Sequence, residues 1–375
     1  MSRRAQNISE KKKMKPDWWL LIATLLLIAV GVIMVFSSSQ YFARYQPYND
    51  SYYFLKSQLG NAAVGTVLMV IAYKMNYHIF RKLTYPIYLV LLGLLVFMVA
   101  SNQIETIGGA QRWMGLFGRN FQPSELAKIA LPMVLAKWIT DHHRDITSFT
   151  KGYVVNILLV GFTAGLIFLQ KDLSTAIVVA ASGVIVMFCG GVRPIYLGGT
   201  AVAGILLVVG AIVAEPYRLE RVYAWLDPWS YAGDEGYQTI QSLLALGSGG
   251  FTGVGLGSGG SKWFYLPARH TDFIFSVLGE EVGFFGALLV ILLLAFVVWR
   301  GVMIAVKVKS LYASLLSMGL ISAIAVQAII NLGVVTGLVP VTGITLPFIS
   351  YGGTSLVVSM AMVGMLLNIS RYVER

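Results

Sequence analysis

Long apolar runs recur along the whole chain and predict its architecture. A membrane-spanning helix needs about 20 mostly apolar residues, and ten runs approach or exceed this length. The second, fourth and sixth of them are short or polar, so their ends are the least defined. The ten runs cover residues 18–36, 59–73, 85–100, 124–139, 153–169, 174–190, 195–214, 273–299, 311–335 and 350–369. The pattern predicts an all-α polytopic membrane protein with about ten transmembrane helices.

The composition favours the same fold class and excludes others. Hydrophobic residues make up 57% of the 375 residues and charged residues only 12%, whereas a soluble domain is about 25% charged. A soluble globular domain and a disordered chain are therefore excluded. A single cysteine, Cys189, also excludes an intramolecular disulfide. The first apolar run is too long for a signal peptide and no small-residue cleavage motif follows it, so we expect it to remain as a span.

The net charge of +11 indicates membrane orientation and requires no nucleic acid partner. Cytoplasmic loops of membrane proteins carry the excess of Lys and Arg. With the amino terminus inside, the alternating segments place 18 Lys and Arg on the cytoplasmic side and nine outside, and Lys128 lies within a span. We therefore expect both termini to be cytoplasmic. The predicted organisation is a basic cytoplasmic tail over 1–17, one membrane domain over 18–369 and a cytoplasmic carboxy-terminal tail over 370–375.

One predicted outer loop is far longer than most of the others. It covers residues 215–271, between helices 7 and 8, and is rich in glycine and aromatic residues. Within it, Tyr237, Ile240 and Leu244 recur at helical spacing, which predicts a short helix lying on the membrane surface. Long loops in compact proteins are usually functional, so we expect the chemistry to face outward. No internal repeat is visible, which argues against a transporter built from paired halves.

A charged pair lies at the start of the fourth apolar run. Pro123 suits the first helical position, which puts Glu125 in the opening turn and Lys128 three residues later on the same helix face. Ionisable groups inside spans are costly and are functional candidates by default. The pair is either a structural ion pair or the charged wall of a polar cavity.

A polar turn separates the fifth and sixth runs and includes Lys171, Asp172 and Ser174. It has two interpretations. Asp172 or Ser174 could simply cap the following helix. Alternatively, the turn could supply a basic contact for a phosphate that arrives at the outer leaflet.

A third polar cluster stands where the long loop enters the eighth run. Thr271 or Asp272 is a plausible helix N-cap, and a carboxylate held at this boundary is also a candidate general base. His270 is a weaker candidate base, because a histidine beside an arginine is more often a surface residue. Glu280 and Glu281 follow two helical turns later. They cannot both face lipid, so at least one should face a cavity or a cationic partner.

Motifs for nucleotide and metal binding are missing from the sequence. Residues 255–260 formally satisfy G-x-G-x-x-G, but they follow no predicted strand, so a dinucleotide site is rejected. The chain has no Walker A motif and no His/Cys spacing typical of a metal site. An ATP-driven pump is therefore disfavoured.

Several longer motifs, in a fixed order, resemble the SEDS family, which comprises the FtsW, RodA and SpoVE proteins. The resemblance extends from the first span to residues 368–371. The residues in the motifs resemble those of the FtsW/SpoVE branch more than those of RodA. The motifs are residues 122–125 (QPSE), 237–243 (YQTIQSL), 253–257 (GVGLG), 265–267 (YLP), 270–275 (HTDFIF), 279–281 (GEE) and the run 331–353.

The resemblance implies a peptidoglycan glycosyltransferase of the bacterial cytoplasmic membrane. Such enzymes polymerise lipid II at the outer face of the membrane together with a class B penicillin-binding protein. The family's essential aspartate matches Asp272, and its intramembrane charged pair matches Glu125 and Lys128. Ten helices are typical of the family, in agreement with the independent count of apolar runs.

The implied reaction assigns roles to further residues. Asp272 would accept the proton of the acceptor 4-hydroxyl. The undecaprenyl pyrophosphate leaving group needs cations, for which the candidates are Arg112, Lys171, Arg218 and Lys262. No cofactor is identified, although a divalent cation could assist the pyrophosphate. The main alternative is a lipid II flippase without chemistry, and the large outward loop with a poised carboxylate favours the enzyme. A scaffold that recruits a transpeptidase is a third reading, disfavoured by the cost of charges inside spans.

Overall fold

The computed structural model describes residues 15–45, 48–101, 113–116, 119–260 and 266–373, and a helix lies at each of the ten predicted apolar runs. Two further helices, α8 and α9, belong to the long loop. A short antiparallel hairpin, β1 (Met114–Leu116) and β2 (Arg119–Phe121), precedes α4. The helices are α1 (Trp18–Ala43), α2 (Tyr53–Lys74), α3 (Tyr77–Ala100), α4 (Ala127–Asp141), α5 (Val155–Leu169), α6 (Leu173–Cys189), α7 (Pro194–Val213), α8 (Pro216–Leu226), α9 (Gly236–Ser248), α10 (Ile274–Lys307), α11 (Leu311–Val335) and α12 (Gly353–Ser370).

Eight helices in the described part of the chain are long and apolar enough to cross a membrane. The two remaining helices at predicted runs, α4 and α6, have 15 and 17 residues. They correspond to the short or polar fourth and sixth runs of the sequence. An all-α polytopic membrane protein is therefore confirmed, while the number of spans and the side on which each loop lies stay predictions.

Close packing around α11 and α12 forms the centre of the bundle. Helix α11 packs against α4, α6 and α10, and α12 packs along α2. Glycines permit the closest approach: a Cβ at Gly364 would collide with the backbone of Met69, and one at Gly65 would collide with Met360. Small residues at helix contacts are the usual means by which membrane helices associate. In contrast, α7 buries only Leu197 and lies at the edge of the bundle.

Helix α10 is broken at Gly283, which adopts φ +68° and ψ −171°. The glycine-rich loop 249–260 lies against the break, where the amides of Phe284 and Phe285 donate to the carbonyls of Gly250 and Phe251 at 2.9 and 3.2 Å. A Cβ at Gly283 would collide with this loop. The first two turns of α10, which directly follow Asp272, are therefore held separately from the long membrane helix.

The predicted short helix of the long loop is confirmed as α9. Its Ser242 hydroxyl lies 2.7 Å from the Ser276 hydroxyl of α10 and donates to the Val335 carbonyl of α11 at 2.7 Å. These contacts place α9 across the ends of α10 and α11. The long loop is thus a packed cover next to the segment that carries Asp272.

Candidate active site

A polar cavity of about 450 Å³, here the central cavity, lies between α2, α4, α11 and the irregular segment 336–352. Most of its lining side chains are polar, which is unusual inside a bundle of apolar helices. They come from segments far apart in sequence and include Ser57, Asn61, Gln122, Glu125, Lys128, Thr175, Asp272, Gln327, Thr345, Tyr351 and Ser355. The helices therefore enclose a water-accessible space with the predicted charged pair in its wall.

The predicted Glu125–Lys128 pair forms and is buried. Pro123 starts a short 3₁₀ turn, Pro123–Leu126, that carries Glu125, and α4 continues directly from it. Lys128 Nζ lies 2.7 Å from both Glu125 carboxylate oxygens and donates to Gln327 Oε1 at 2.6 Å. Gln327 Nε2 in turn donates to the Thr345 carbonyl at 2.8 Å. The ion pair is thus part of a hydrogen-bonded network that ties α4, α11 and segment 336–352 together.

A second cavity of about 800 Å³, here the lateral cavity, opens beside the edge helix α7. One part of its wall is charged and contains three cations, Lys171, Arg218 and Arg221, and three carboxylates, those of Asp172, Glu235 and Asp272. The other part is apolar, with side chains from α7, α11 and the segment after α11. These apolar residues are Val208, Ile212, Ile330, Val339 and Val341. The cavity therefore suits an amphiphile with a charged head and an apolar tail.

The three cations of the lateral cavity are held differently. Lys171 is exposed at the turn before α6. Arg218 is buried: its Nη1 donates to the Ala211 carbonyl at 2.9 Å and its guanidinium lies over the Phe168 ring. Arg221 pairs with Glu235 at 3.1 Å. Arg221 was not predicted as a site residue from the sequence, although it lies one helical turn after Arg218.

Asp172 is buried and caps α6, as one of the two sequence interpretations expected. One carboxylate oxygen accepts from the Thr175 amide at 3.1 Å, and the other accepts from Gln122 Nε2 at 2.8 Å. Asp172 lines the lateral cavity, whereas Gln122 and Thr175 line the central one. This carboxylate therefore belongs to the wall between the two cavities.

Asp272 lines both cavities, as does Gly343. The interpretation of Thr271 or Asp272 as the helix N-cap is wrong, because α10 begins at Ile274 and its N-cap is Phe273, without a side-chain cap bond. The chain turns once more between Ala268 and Phe273 before the helix starts. Asp272 consequently lies where the polar central cavity and the lateral cavity, with its charged and apolar parts, meet.

Hydrogen bonds to three consecutive backbone carbonyls, those of residues 270–272, fix the backbone around Asp272. The Tyr351 amide donates to the His270 carbonyl at 2.8 Å, and the Ser350 hydroxyl donates to the Thr271 carbonyl at 2.6 Å. Asn331 Nδ2 donates to the Asp272 carbonyl at 2.8 Å. Such anchoring restricts where the Asp272 carboxylate can lie.

Asn331 and Gln327 were not predicted as site residues from the sequence, although a signal existed. Both are amides in an otherwise apolar run, four residues apart, and this spacing places them on one helix face. Amides buried in membrane helices need partners. A pair of them on one face could have indicated the side of α11 that faces the site.

Replacing Asn331 with leucine is expected to slow the glycosyl transfer that the family resemblance implies by about tenfold or more, because small displacements of a reacting group are costly. The change removes the donor to the Asp272 carbonyl and a second donor to the Ile344 carbonyl at 2.6 Å. Loss of buried hydrogen bonds should also lower the free energy of unfolding by about 1–3 kcal/mol. The measurement is the reaction rate per folded molecule.

The matched control is Asn156→Leu, which removes a buried amide that donates to the Gly152 carbonyl, remote from both cavities. It should lower stability without lowering the rate per folded molecule. Equal rate losses in the two variants would contradict a positioning role for Asn331.

His270 is not the surface residue that the sequence suggested. Its ring packs against Phe42, Phe54 and Tyr351, with centroid distances of 6.0, 4.6 and 5.7 Å. Burial, together with the neighbouring positive charge of Arg269, lowers the pKa of His270 from 6.5 to about 4. The imidazole is therefore neutral at physiological pH and serves as an aromatic support for the Asp272 segment.

This pKa predicts a defined acid sensitivity of the fold. Between pH 6.5 and 4 the unfolded state binds a proton at His270 that the folded state does not, so the free energy of unfolding falls as the pH falls. At about 1.4 kcal/mol per pKa unit, the loss reaches up to about 3 kcal/mol. Equilibrium unfolding of His270→Phe should show a flatter pH dependence over this window, whereas His143→Phe, on an exposed turn, should follow the unchanged chain. Parallel curves for all three would contradict the prediction.

Glu280 and Glu281 are buried and line neither the central nor the lateral cavity. The alternative expectation, a cationic partner for at least one of them, stays a prediction. The Gly260 amide donates to Glu280 at 2.7 Å, and the Ser37 hydroxyl of α1 donates to Glu281 at 2.6 Å. The two acids therefore anchor the broken start of α10.

Two predicted cationic residues, Arg112 and Lys262, lie outside the described residues. Within the described ranges, no group of three or more His, Cys, Asp or Glu side chains is placed to hold a metal ion.

Comparison with known proteins gives relatives over nearly the whole chain. Stage V sporulation protein E of Bacillus subtilis is 42% identical over 362 residues, which cover 96% of this chain and 98% of that protein. A probable peptidoglycan glycosyltransferase FtsW of Geobacter sp. (strain M18) is 38% identical over 354 residues, with coverage of 94% and 96%. Full-length similarity at this level extends to the cavities and the long loop.

Solved structures and a family model agree. A chain from a study of the structural coordination of polymerization and crosslinking by a peptidoglycan synthase complex matches with a TM-score of 0.79 at 31% identity, covering 95% of this chain and 98% of that one. Rod shape determining protein RodA of Thermus thermophilus matches with a TM-score of 0.70 at 28% identity, covering 95% and 97%. A family model described as a cell cycle protein, FtsW/RodA/SpoVE, matches residues 17–375. The chain therefore belongs to the FtsW/RodA/SpoVE family.

Proposed function

We propose that this multi-pass protein of the bacterial cytoplasmic membrane is a peptidoglycan glycosyltransferase that polymerises lipid II at the outer face of the membrane. The observation that carries the proposal is the position of Asp272 at the meeting point of the central and lateral cavities. Relatives named as probable peptidoglycan glycosyltransferases support the same activity. The reaction needs two substrates to meet at one general base, and two cavities that share one carboxylate satisfy that need.

The lateral cavity is proposed to hold the donor. Its apolar wall beside α7 accepts the polyprenyl chain, which can enter from the bilayer because α7 buries little of its surface. Its cations, Lys171, Arg218 and Arg221, face the pyrophosphate. Positive groups fixed near a leaving group stabilise the negative charge that develops in the transition state. An activated donor of this kind requires no nucleotide.

The central cavity is proposed to hold the acceptor sugar. The acceptor 4-hydroxyl oxygen forms a bond to the anomeric carbon of the donor as the bond from that carbon to the pyrophosphate oxygen breaks. The hydroxyl proton passes to the Asp272 carboxylate, and the electron pair of the broken bond leaves with undecaprenyl pyrophosphate. Proton removal by a positioned carboxylate contributes typically about 10²–10⁴-fold to the rate.

Glu125 and Lys128 are proposed to keep the central cavity polar and in shape. The pair does not need to exchange protons with substrate, because its contacts within the protein already satisfy Lys128. Its loss would alter the cavity wall through Gln327 and Thr345. Its role is therefore positioning and hydration of the acceptor space.

A class B penicillin-binding protein transpeptidase is the proposed partner. The solved chain that this protein resembles at a TM-score of 0.79 comes from a peptidoglycan synthase complex that coordinates polymerization with crosslinking. A polymerase that releases uncrosslinked glycan needs a crosslinking activity beside it.

The test is purified protein reconstituted with its partner transpeptidase and labelled lipid II. A ladder of glycan polymers is the expected product. Transbilayer movement of lipid II is followed in the same proteoliposomes, since the flippase alternative predicts movement. Movement between leaflets without any polymer would overturn the proposal.

A further inference from the structure

A third pocket, here the terminal pocket, lies at the end of the bundle remote from Asp272. It has a volume of about 410 Å³ and is formed where α1 begins and where α10 and α12 end. Among the residues that the structure describes, its lining includes the cations Lys15, Arg300 and Lys307 and one carboxylate, that of Asp17. The pocket is therefore cationic, and neither the proposed catalysis nor the donor site uses it.

The cationic wall is built on fixed contacts. Arg300 Nε donates to Asp17 Oδ2 at 2.9 Å, and the other oxygen of Asp17 accepts from the Leu20 amide at 3.1 Å as the N-cap of α1. The Asp17 amide donates to the Ser370 hydroxyl of α12 at 3.1 Å. Three helix ends are thus tied together, whereas Lys15 and Lys307 are exposed at the mouth of the pocket.

The apolar part of the terminal pocket has the character of a membrane–water boundary. Trp18 and Trp19 are 54% and 64% exposed although they begin a long apolar helix. Tryptophan is enriched at the level of the lipid headgroups, where its indole is both apolar and polar. Met303 and Ile304 of α10 continue the lining toward the apolar part of the bundle. An occupant with both a charged head and apolar chains matches this arrangement.

The segment that precedes α1 is also basic in sequence. Residues 3, 4, 11, 12 and 13 are all Lys or Arg, and no acid other than Glu10 precedes Asp17. Basic residues beside a membrane helix attract anionic lipids. The long-range field and the local pocket thus favour the same class of ligand.

We propose that the terminal pocket binds the headgroup of an anionic phospholipid in the leaflet at the amino-terminal end of the bundle. The phosphate lies against Lys15 and Lys307, next to Arg300, and the acyl chains run along Trp18, Trp19 and the end of α10. Positive charge that only sets the orientation of the protein in the membrane would not need a defined pocket. A fixed ion pair, two exposed indoles and a pocket between three helix ends point to a specific lipid.

The test is native mass spectrometry of the full chain in detergent, titrated with phosphatidylglycerol or with phosphatidylcholine of the same acyl chains. The test variant is Lys15→Gln/Lys307→Gln. The charge-matched control is Lys74→Gln/Lys82→Gln. Lys74 is exposed at the end of α2, where Asn368 of α12 contacts the neighbouring Tyr73 carbonyl, so the control changes charge at the same end of the bundle. All four lysines are exposed, and melting temperatures check that both variants fold.

The unchanged chain and the control should bind phosphatidylglycerol about tenfold or more tightly than the test variant does, because of these four lysines only Lys15 and Lys307 line the terminal pocket and act on a phosphate bound there. The unchanged chain should also prefer phosphatidylglycerol to phosphatidylcholine. Equal binding of the two lipids, or equal losses in the test and control variants, would overturn the proposal. Displacement of phosphatidylglycerol by inorganic phosphate at similar concentration would overturn it too, because the ligand would then be a free anion.

Discussion

Asp272→Asn is expected to lower the kcat for lipid II polymerisation by about 10²–10⁴-fold. The amide keeps the shape of the side chain at the junction of the two cavities but cannot accept the hydroxyl proton. The backbone carbonyls of residues 270–272 accept hydrogen bonds from Tyr351, Ser350 and Asn331. Because none of these three bonds uses the Asp272 side chain, the segment should keep its conformation. Initial rates of polymer formation from labelled lipid II, with melting temperature measured in parallel, check the prediction.

Asp227→Asn is the matched control, because Asp227 lies in the same long loop and is exposed. The Ser230 hydroxyl and amide lower the pKa of Asp227, so this carboxylate is ionised but faces no substrate. Its replacement should leave the rate within about twofold, as expected for a surface change. A loss at Asp227 as large as the loss at Asp272 would indicate a general effect of charge in the loop.

Lys128→Met is expected to lower the free energy of unfolding by about 3–5 kcal/mol. The change leaves the buried Glu125 carboxylate without its 2.7 Å partner and also leaves Gln327 Oε1 without its donor. Glu125→Gln/Lys128→Met removes both charges together, so much of the stability should return. Equilibrium unfolding in mixed detergent micelles measures all of these variants.

Lys137→Met provides the control within the same helix. Lys137 is only half-buried and lies over the Tyr85 ring at 4.0 Å. A partly exposed cation–π contact contributes about 0.5–1 kcal/mol. A cost at Lys137 equal to that at Lys128 would contradict the account of the buried pair.

The positions of the helices could be predicted because each depends on its own sequence. Apolar runs long enough to cross a bilayer must form helices, since no other backbone conformation satisfies its polar groups in lipid except a closed barrel. The Glu125–Lys128 pair was predictable for the same reason: a three-residue spacing on one helix brings the side chains together whatever lies around them.

The rest of the site depends on contacts between distant segments. Gln327 reaches Lys128 across 199 positions of sequence and Asn331 reaches Asp272 across 59, so no local pattern could pair them. The break at Gly283 requires loop 249–260 as a partner, and the same loop supplies the Gly260 amide that donates to Glu280. Local capping rules also failed at Asp272, because tertiary bonds to its neighbours delay the start of α10 until Ile274.

The central claim is that Asp272 removes a proton during bond formation rather than holding the substrate. The most direct measurement separates these roles by comparing lipid II binding with the single-turnover rate in Asp272→Asn and in the unchanged enzyme. A general base predicts a Kd within about twofold of the unchanged enzyme and a single-turnover rate at least about 100-fold lower. A Kd that rises in proportion to the lost activity, with an unchanged rate at saturating lipid II, would contradict it.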